Sequence, residues 1–150
     1  MPSHITYELT TKGLSPVAQQ TVSTLYEKVF NTGSERITER LKRSDLVTVL
    51  ARSAGQVVGF KMGYPEKPNR FYSWLGGVHL AWQRQGIAHE MMRRQHAYCL
   101  NNGFVTIRTK TTNRWRAMLI LNIRTGFSII GTYVDDANEL KIILEKRLNT

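Results

Sequence analysis

The sequence lacks the features that mark secreted and membrane proteins. It contains one cysteine, Cys99, so an intramolecular disulfide is excluded, and its position in a helix-forming segment favours a buried structural thiol over a nucleophile. No apolar run approaches the roughly 20 residues that are needed to span a bilayer. The first residues, Met1-Pro2-Ser3-His4-Ile5-Thr6, lack the basic and apolar stretches of a secretory signal. We therefore predict a cytoplasmic protein without a membrane partner.

Other familiar signatures are missing as well. The chain has no internal repeat, no low-complexity segment, no His/Cys cluster at metal-ligand spacing and no Ser-His-Asp arrangement, so we expect no metal cofactor. Its 150 residues suit a single domain, residues 1–150, and a hydrophobic fraction of 41% is typical of a globular protein. Acidic residues are scarce, because 11 Asp and Glu stand against 21 Lys and Arg, for a net charge of +10. That charge alone would indicate a nucleic-acid-binding protein.

Hydrophobic periodicity divides the chain into alternating strands and helices. The clearest local signal is Ser15 as a helix N-cap, followed by Pro16 at the first helical position. The predicted strands cover 4–10, 46–52, 56–64, 70–78, 104–110, 127–133 and 139–148, and the predicted helices cover 16–30, 34–43, 86–102 and 114–125. A loop over 65–69 separates the third and fourth strands. The strand, helix and strand of residues 70–110 form a crossover between parallel strands, so we predict an α+β fold with a mixed, largely antiparallel sheet.

The stretch Val78–Ala88 joins the fourth strand to the third helix. A strand rich in aromatic and β-branched residues ends there, a turn with small residues follows, and a helix begins at about Gly86. The first N–H groups of a helix have no intrahelical partners and lie at the positive end of its dipole. Because Gly86 and Ala88 lack bulk, the sequence predicts an anion site at this turn that phosphates can approach.

Two signatures in this order resemble those of the GCN5-related N-acetyltransferase (GNAT) family. Gln83-Arg84-Gln85-Gly86-Ile87-Ala88 fits the family's Gln/Arg-x-x-Gly-x-Gly/Ala pattern, and Leu75–Leu80 looks like its fourth strand. Asn113, followed by Gly126-Phe127, is similar to the second signature. The resemblance implies the acyl-CoA N-acyltransferase fold, a three-layer α/β/α arrangement with a mixed, mostly antiparallel sheet of about seven strands and about four helices.

The resemblance also implies where acetyl-CoA binds as co-substrate. Family members bind its pyrophosphate with the backbone amides of the turn, and the pantetheine arm pairs with the fourth strand where strands four and five splay apart. Gly76-Gly77 fits such a splay, although a bulge without a ligand explains two glycines equally well. The residues implied in cofactor binding are Val78, His79, Leu80, Gln83, Arg84, Gln85, Gly86, Ile87, Ala88 and Asn113. Without the resemblance, Asn113 is interpreted as a helix N-cap.

The catalytic groups are harder to identify. Many family members carry a Tyr four residues before the Gly of Gly-Phe that protonates the CoA sulfur, and here that position is Asn122, our one catalytic candidate. An amide is not a general acid, so Asn122 would either hydrogen-bond the thioester or cofactor arm, or only cap a polar pocket. No general base stands out. Conceivable bases, each more often a packing or surface residue, are Tyr72, Ser73, Glu35, Tyr133 and His79.

We interpret the chain as an acetyl-CoA-dependent N-acetyltransferase that acts on a primary amine by direct transfer in a ternary complex, with the acceptor unidentified. Two alternatives stay open: a non-catalytic acyl-CoA-binding module, suggested by Asn122, and a basic nucleic-acid-binding protein, suggested by the net charge. Nucleic acid is the less favoured partner, because CoA phosphates also need cations. Arginines near the two signatures are Arg84, Arg93, Arg94, Arg114, Arg116 and Arg124. A homodimer is possible if the apolar segment 141–144 forms an edge strand, and an interior strand is the equal alternative.

Overall fold

The structure is a computed structural model that describes residues 4–148. Residues 1–3, part of the segment from which the targeting prediction was made, lie outside the described residues. The strands are β1 (Ile5–Thr10), β2 (Val47–Ser53), β3 (Gln56–Lys67), β4 (Arg70–Val78), β5 (Thr106–Thr111), β6 (Ser128–Val134) and β7 (Leu140–Arg147). The α-helices are α1 (Pro16–Phe30), α2 (Glu35–Thr38), α3 (Ile87–Asn101) and α4 (Arg116–Arg124). Among residues 4–148, no helix is both long and apolar enough to cross a membrane.

The strands form one mixed sheet in the order β1-β2-β3-β4-β5-β7-β6. The pairs β1–β2, β2–β3, β5–β7 and β6–β7 are antiparallel, and β4–β5 is parallel because α3 carries the chain across between these two strands. The predicted seven-stranded, largely antiparallel sheet with four helices is confirmed. The segment 141–144 belongs to β7, which lies between β5 and β6, so the interior alternative is the correct one and β6 is the edge strand.

Some element boundaries differ from the predictions. β3 continues through Pro65 to Lys67, where a loop over 65–69 was predicted. Proline keeps a φ that suits a strand and loses only its N–H, so it need not stop a strand near its end. The predicted helix over 34–43 is split into α2 and a 3₁₀ turn, Arg40–Lys42.

The first of two compact units comprises the described residues up to Tyr64 together with Leu75–Gln95. Helix α1 begins as the sequence predicts, because Ser15 Oγ accepts a hydrogen bond from Ala18 N at 3.1 Å and Pro16 lies in the first turn. The buried apolar cluster of this unit contains Val49, Ala51, Val58, Val78, Ile87 and Met91. Residues from β2, β3, β4 and α3 therefore share one core, which supports the end of β4 and the start of α3.

The second unit comprises Pro65–Trp74 and the described residues from His96 onward. Phe71 of β4 packs edge-on against Tyr98 and Phe104, with ring centroids 6.4 and 5.4 Å apart. Edge-to-face aromatic contacts of this kind stabilise a core beyond the area they bury. The single domain over residues 1–150 stays a prediction.

Lys61 stands out in the first unit because its side chain is buried in the middle of β3. It lies opposite Val49 in the β2–β3 register. A Cβ added at Gly76 would lie 3.7 Å from Lys61 Nζ, so the amine sits close beside this glycine. Burial disfavours the charged form and lowers the pKa of Lys61 to about 8.

Replacing Lys61 with methionine should stabilise the protein at neutral pH, because methionine fills a similar volume without a buried charge. Between a folded-state pKa of about 8 and an unfolded-state pKa of about 10.4, the unfolded chain binds more protons at this lysine. The contribution of Lys61 to stability therefore becomes less unfavourable as the pH rises across this window, and the penalty is fully present below it. We expect Lys61→Met to raise the free energy of unfolding by on the order of 1–3 kcal/mol near pH 7, measured by urea unfolding.

The decisive quantity is the difference in the free energy of unfolding between Lys61→Met and the wild type at each pH. Burial raises the pKa of the Cys99 thiol to about 12, so ionisation of that thiol in the unfolded chain lowers stability at high pH. This opposite effect is common to both proteins and cancels in the difference. Lys12→Met, at an exposed lysine of the same unit, is the control for the loss of one positive charge. If the Lys61→Met difference stayed constant up to about pH 10.5, the desolvation of Lys61 would be refuted.

Candidate functional site

The segment between β4 and α3 opens with a short 3₁₀ turn, Leu80–Trp82. His79 caps this turn, because its Nδ1 accepts a hydrogen bond from Ala81 N at 3.1 Å. The backbone N–H of His79 also donates to Val58 O at 2.8 Å. This hydrogen bond from Ala81 fixes the direction of the His79 ring, which could not be predicted from the sequence. Leu80, at the start of the 3₁₀ turn, is exposed.

Two residues with left-handed backbone turn the chain into α3. Arg84 has a φ of +64° and Gly86 has a φ of +81°. Glycine adopts this conformation without strain, whereas other residues do so at a cost, so Gly86 meets a backbone requirement. Gln83 holds the turn by donating from Nε2 to Val78 O at 3.0 Å. A Cβ at Gly86 would meet no atom of residues 4–148 within 4 Å, so the space beside this backbone is open.

Helix α3 begins at Ile87, which confirms the predicted start at about Gly86. A hydrogen bond from Glu90 N to Gly86 O, at 3.0 Å, opens the helical ladder. The N–H groups of residues 86–89 therefore precede the ladder and lie at the positive end of the helix dipole. The side chain of Ile87 is buried, whereas residues 83–86 are exposed. The core thus anchors the start of the helix while the preceding turn stays accessible.

The arginines near the two signatures are only partly available to a ligand. Glu90 accepts hydrogen bonds from Arg93 Nη2 and Arg94 Nε, both at 2.7 Å, and these bonds lower the pKa of Glu90 to about 2. Arg114, in the second unit, pairs with Glu139 at 3.1 Å. Three exposed arginines of this set have no ion-pair partner among residues 4–148, namely Arg84, Arg116 and Arg124. Of these, Arg84 lies on the turn itself.

Asn113 is exposed in the turn that follows β5. A hydrogen bond from Trp115 N to Thr112 O at 3.2 Å closes this turn, and α4 begins only at Arg116, with Trp115 at the N-cap position. The interpretation of Asn113 as the N-cap is therefore wrong, because the closed turn delays the helix by two residues. The cofactor contact that the resemblance implies for Asn113 stays a prediction.

Asn122 is buried near the end of α4. Its backbone carbonyl accepts hydrogen bonds from Thr125 N at 3.3 Å, Thr125 Oγ1 at 3.1 Å and Phe127 N at 3.0 Å. Gly126, with a φ of +105°, lets the chain reverse into β6 at this point. The backbone of Asn122 therefore ends the helix, and the role of its buried amide stays a prediction.

The structure separates the candidate bases by exposure and by unit. Tyr72 and Ser73 are buried on β4, and Tyr133 is exposed on β6, all in the second unit. Glu35 is exposed on α2 in the first unit. Ser73 O accepts a hydrogen bond from Thr109 Oγ1 at 2.8 Å. Within residues 4–148, no group of three or more His, Cys, Asp or Glu side chains could hold a metal ion.

Sequence reasoning missed two lysines. Lys110 places Nζ 5.9 Å from the Tyr72 ring centroid and 5.1 Å from that of Tyr133, so it joins two of the candidate groups. Nothing in the sequence indicated this cluster, because its members come from three different strands. Lys61 is the other. The sequence did contain an indication of its burial, because Lys61 is a charged residue inside the apolar run 56–64.

Solved structures of acetyltransferases share this fold. The ribosomal-protein-S18-alanine N-acetyltransferase from Escherichia coli matches with a TM-score of 0.81 over 97% of this chain and 96% of that chain, at 12% identity. A GNAT family acetyltransferase from Elizabethkingia anophelis with acetyl-CoA bound gives 0.73 over 96% and 98%, at 19% identity. Arabidopsis thaliana NAA60 in complex with a bisubstrate analogue gives 0.77 over 97% and 99%, at 14% identity. At these identities the likeness establishes the fold.

Sequence comparison establishes the family. No curated protein matches the chain in sequence. A sequence model of the Acetyltransferase (GNAT) family matches residues 16–117, which include β4, the turn at Gly86 and α3. This match spans more than half of the chain and contains the first signature in full. The chain therefore belongs to the acetyltransferase (GNAT) family.

Proposed function

We propose that this GNAT acetyltransferase transfers the acetyl group of acetyl-CoA to a primary amine, with both reactants bound at once. The observation that carries the proposal is the turn before α3. Gly86 has a left-handed backbone beside open space, and the N–H groups of residues 86–89 come before the helical ladder. A pyrophosphate supplies the acceptors and the negative charge that such a turn favours.

Within the first unit, the proposed cofactor contacts are mainly backbone contacts. The N–H groups of residues 83–88 hold the pyrophosphate, and the exposed guanidinium of Arg84 adds a charge-assisted hydrogen bond. The main chain at Val78 and Leu80 pairs with the pantetheine arm. Gln83 supports this arrangement, because its hydrogen bond to Val78 O fixes the orientation of that peptide group. The contributions of Asn113 and Asn122, in the second unit, rest on the family signature.

The solved relatives support the cofactor and the direct transfer. The Elizabethkingia anophelis acetyltransferase is seen with acetyl-CoA bound, and the Arabidopsis thaliana enzyme is seen with a bisubstrate analogue. A single molecule that represents both substrates fits a mechanism in which they occupy the enzyme together. Holding them together is itself a large source of rate acceleration.

The acceptor determines how much proton transfer the enzyme has to provide. A lysine-like amine, with a pKa of about 10.4, loses roughly 4 kcal/mol to deprotonation near pH 7.4, whereas an α-amino group of pKa about 7.7–8.0 loses well under 1 kcal/mol. Asn122 stands where many family members carry a Tyr, and an amide cannot return a proton to the CoA sulfur. Water or another group therefore completes the proton transfer.

Replacing Gly86 with valine should abolish the stabilisation that acetyl-CoA gives the wild type. A β-branched residue is strained at a φ of +81° and projects into the open space at the turn. In the wild type, thermal melting should show a saturable rise that approaches about 2.7 kcal/mol at a hundredfold excess of acetyl-CoA over its dissociation constant. ADP, which lacks the pantetheine arm, should stabilise less than CoA.

Gly55 offers a matched control in the same unit. It has a φ of +82° in the β2–β3 hairpin, and a Cβ there would also meet no atom of residues 4–148 within 4 Å. Gly55→Val therefore adds comparable backbone strain, on the order of 1–2 kcal/mol, away from the proposed ligand. We expect similar losses in melting temperature for both variants and loss of the acetyl-CoA response only in Gly86→Val. A wild type that fails to respond to millimolar acetyl-CoA would contradict the proposed function.

Replacing Asn122 with alanine should lower kcat about tenfold or more while acetyl-CoA still raises the melting temperature. The hydrogen bonds that end α4 use the backbone carbonyl of Asn122, which alanine retains. A loss of turnover would therefore report the side-chain amide, through a hydrogen bond to a reacting group worth about 1.5–3 kcal/mol. Steady-state measurement of CoA thiol release gives kcat and KM separately.

Ile123→Ala, at the next and exposed position of α4, is the control for a general disturbance of the helix. It should leave kcat within about twofold of the wild type, because truncating an exposed side chain changes little. Unchanged turnover in Asn122→Ala would assign the amide to the polar-pocket alternative and exclude it from catalysis.

A further inference from the structure

Lys110 occupies an unusual position in the second unit. It is exposed near the end of β5, and its ammonium lies over the rings of Tyr72 and Tyr133, 5.9 and 5.1 Å from their centroids. Both distances are within the range of cation–π attraction. Among residues 4–148, no carboxylate pairs with Lys110.

This cluster belongs to one face of the sheet. Phe71 packs against Tyr98 of α3, and because successive residues of a strand point to opposite faces, Tyr72 lies on the face away from α3. Tyr72 is opposite Arg108 in the parallel β4–β5 register, and Lys110 is two residues further along the same strand as Arg108. The contact between the Lys110 ammonium and the Tyr72 ring agrees with this alternation.

Two neighbouring cations on this face are neutralised. Arg108 donates to Glu145 Oε2 at 2.7 Å, with both side chains about a quarter exposed. Lys141 donates to Glu139 Oε1 at 3.2 Å and lies 3.8 Å from Asp135 Oδ2. Lys110 differs, since aromatic faces attract an ammonium without accepting all three of its N–H bonds. Its charge and its donors therefore remain available to an anion.

Lys110 lies just beyond the last paired residues of strands β4 and β5. The parallel register of β4 and β5 runs from Arg70 and Thr106 to Ser73 and Thr109, and Lys110 is the next residue of β5. Two tyrosines that were considered as catalytic groups flank it. A substrate bound beside either ring would therefore lie near this ammonium.

We propose that Lys110 binds a carboxylate of the acceptor, so that the acceptor is a small amine that also carries a carboxylate. The inference rests on the proposed function and names the substrate class for it. Tyr72 and Tyr133 orient the ammonium through their ring faces, and the carboxylate takes its free donors. The net charge of +10 favours the approach of an anionic acceptor over that of a polycation.

The test compares pairs of acceptors that differ in one carboxylate, namely amino acids and their carboxamides. CoA thiol release is measured for each pair with the wild type and with Lys110→Met. The carboxylate also raises the pKa of the neighbouring amine, so kcat/KM is expressed per neutral amine for each acceptor. On this scale we expect the wild type to prefer the carboxylate member of a pair by about tenfold, as for a hydrogen bond to a charged group. Lys110→Met should remove this preference by raising KM for the carboxylate member, with KM for the carboxamide unchanged.

Two controls separate the role of Lys110 from a general loss of charge or structure. Lys12→Met removes one positive charge at an exposed lysine in the first unit and should keep the preference. Lys110→Arg keeps the charge and should retain most of it. Higher salt should reduce the preference in the wild type, because an exposed ion pair is screened.

The outcomes distinguish this inference from the proposed function. If acetyl-CoA raises the melting temperature of the wild type and of Lys110→Met equally, but carboxylates and carboxamides react equally or neither reacts, the inference is overturned and the cofactor proposal stands. The same holds if Lys110→Met slows both members of a pair by the same factor. If acetyl-CoA fails to stabilise the wild type, the proposed function itself is refuted.

Discussion

The left-handed backbone at Gly86 joins the core of the first unit to its exposed turn. The chain must leave β4, reverse and start α3, and it does so through a residue with a φ of +81° that only glycine adopts without strain. Ile87, directly after it, is buried, so the start of the helix cannot shift without disturbing the core. Gln83 and His79 hold the approach to the turn through short-range hydrogen bonds. The helical N–H groups are thereby held in place before any ligand arrives, and this preorganisation favours binding.

Within residues 4–148, at least nine of the 21 Lys and Arg side chains form ion pairs, although the net charge is +10. Glu90 forms ion pairs with Arg93 and Arg94, and Glu145 forms one with Arg108. Carboxylates of the β6–β7 turn form ion pairs with Arg114 and Lys141. A high total charge therefore says little about the partner. Two cations without a carboxylate partner are more informative because of where they lie: Arg84 on the turn and Lys110 on β5. Lys61 is a separate case, since its burial favours the neutral amine.

Local signals explain what the sequence predicted well. Ser15 and Pro16 mark the start of α1, Gly86 marks the start of α3, and the strand–helix–strand spacing predicts the parallel pair, because each depends on neighbouring residues. The failures have two causes, namely a local turn that no residue type marked and contacts between residues that are far apart in the sequence. The closed turn at Trp115 displaced the expected cap from Asn113, and the ring contacts of Lys110 unite three strands. The cytoplasmic location and the homodimer stay predictions.

The absence of an acid at Asn122 and the cation at Lys110 bear on the same chemical problem. An enzyme without a strong acid or base near its substrate depends on an amine that loses its proton readily. A carboxylate close to an amine stabilises the ammonium form, and a cation that neutralises this carboxylate removes part of that stabilisation. A binding residue of this kind would lower the amine pKa at the moment of capture, and recognition of the acceptor would then supply part of the activation that Asn122 cannot provide.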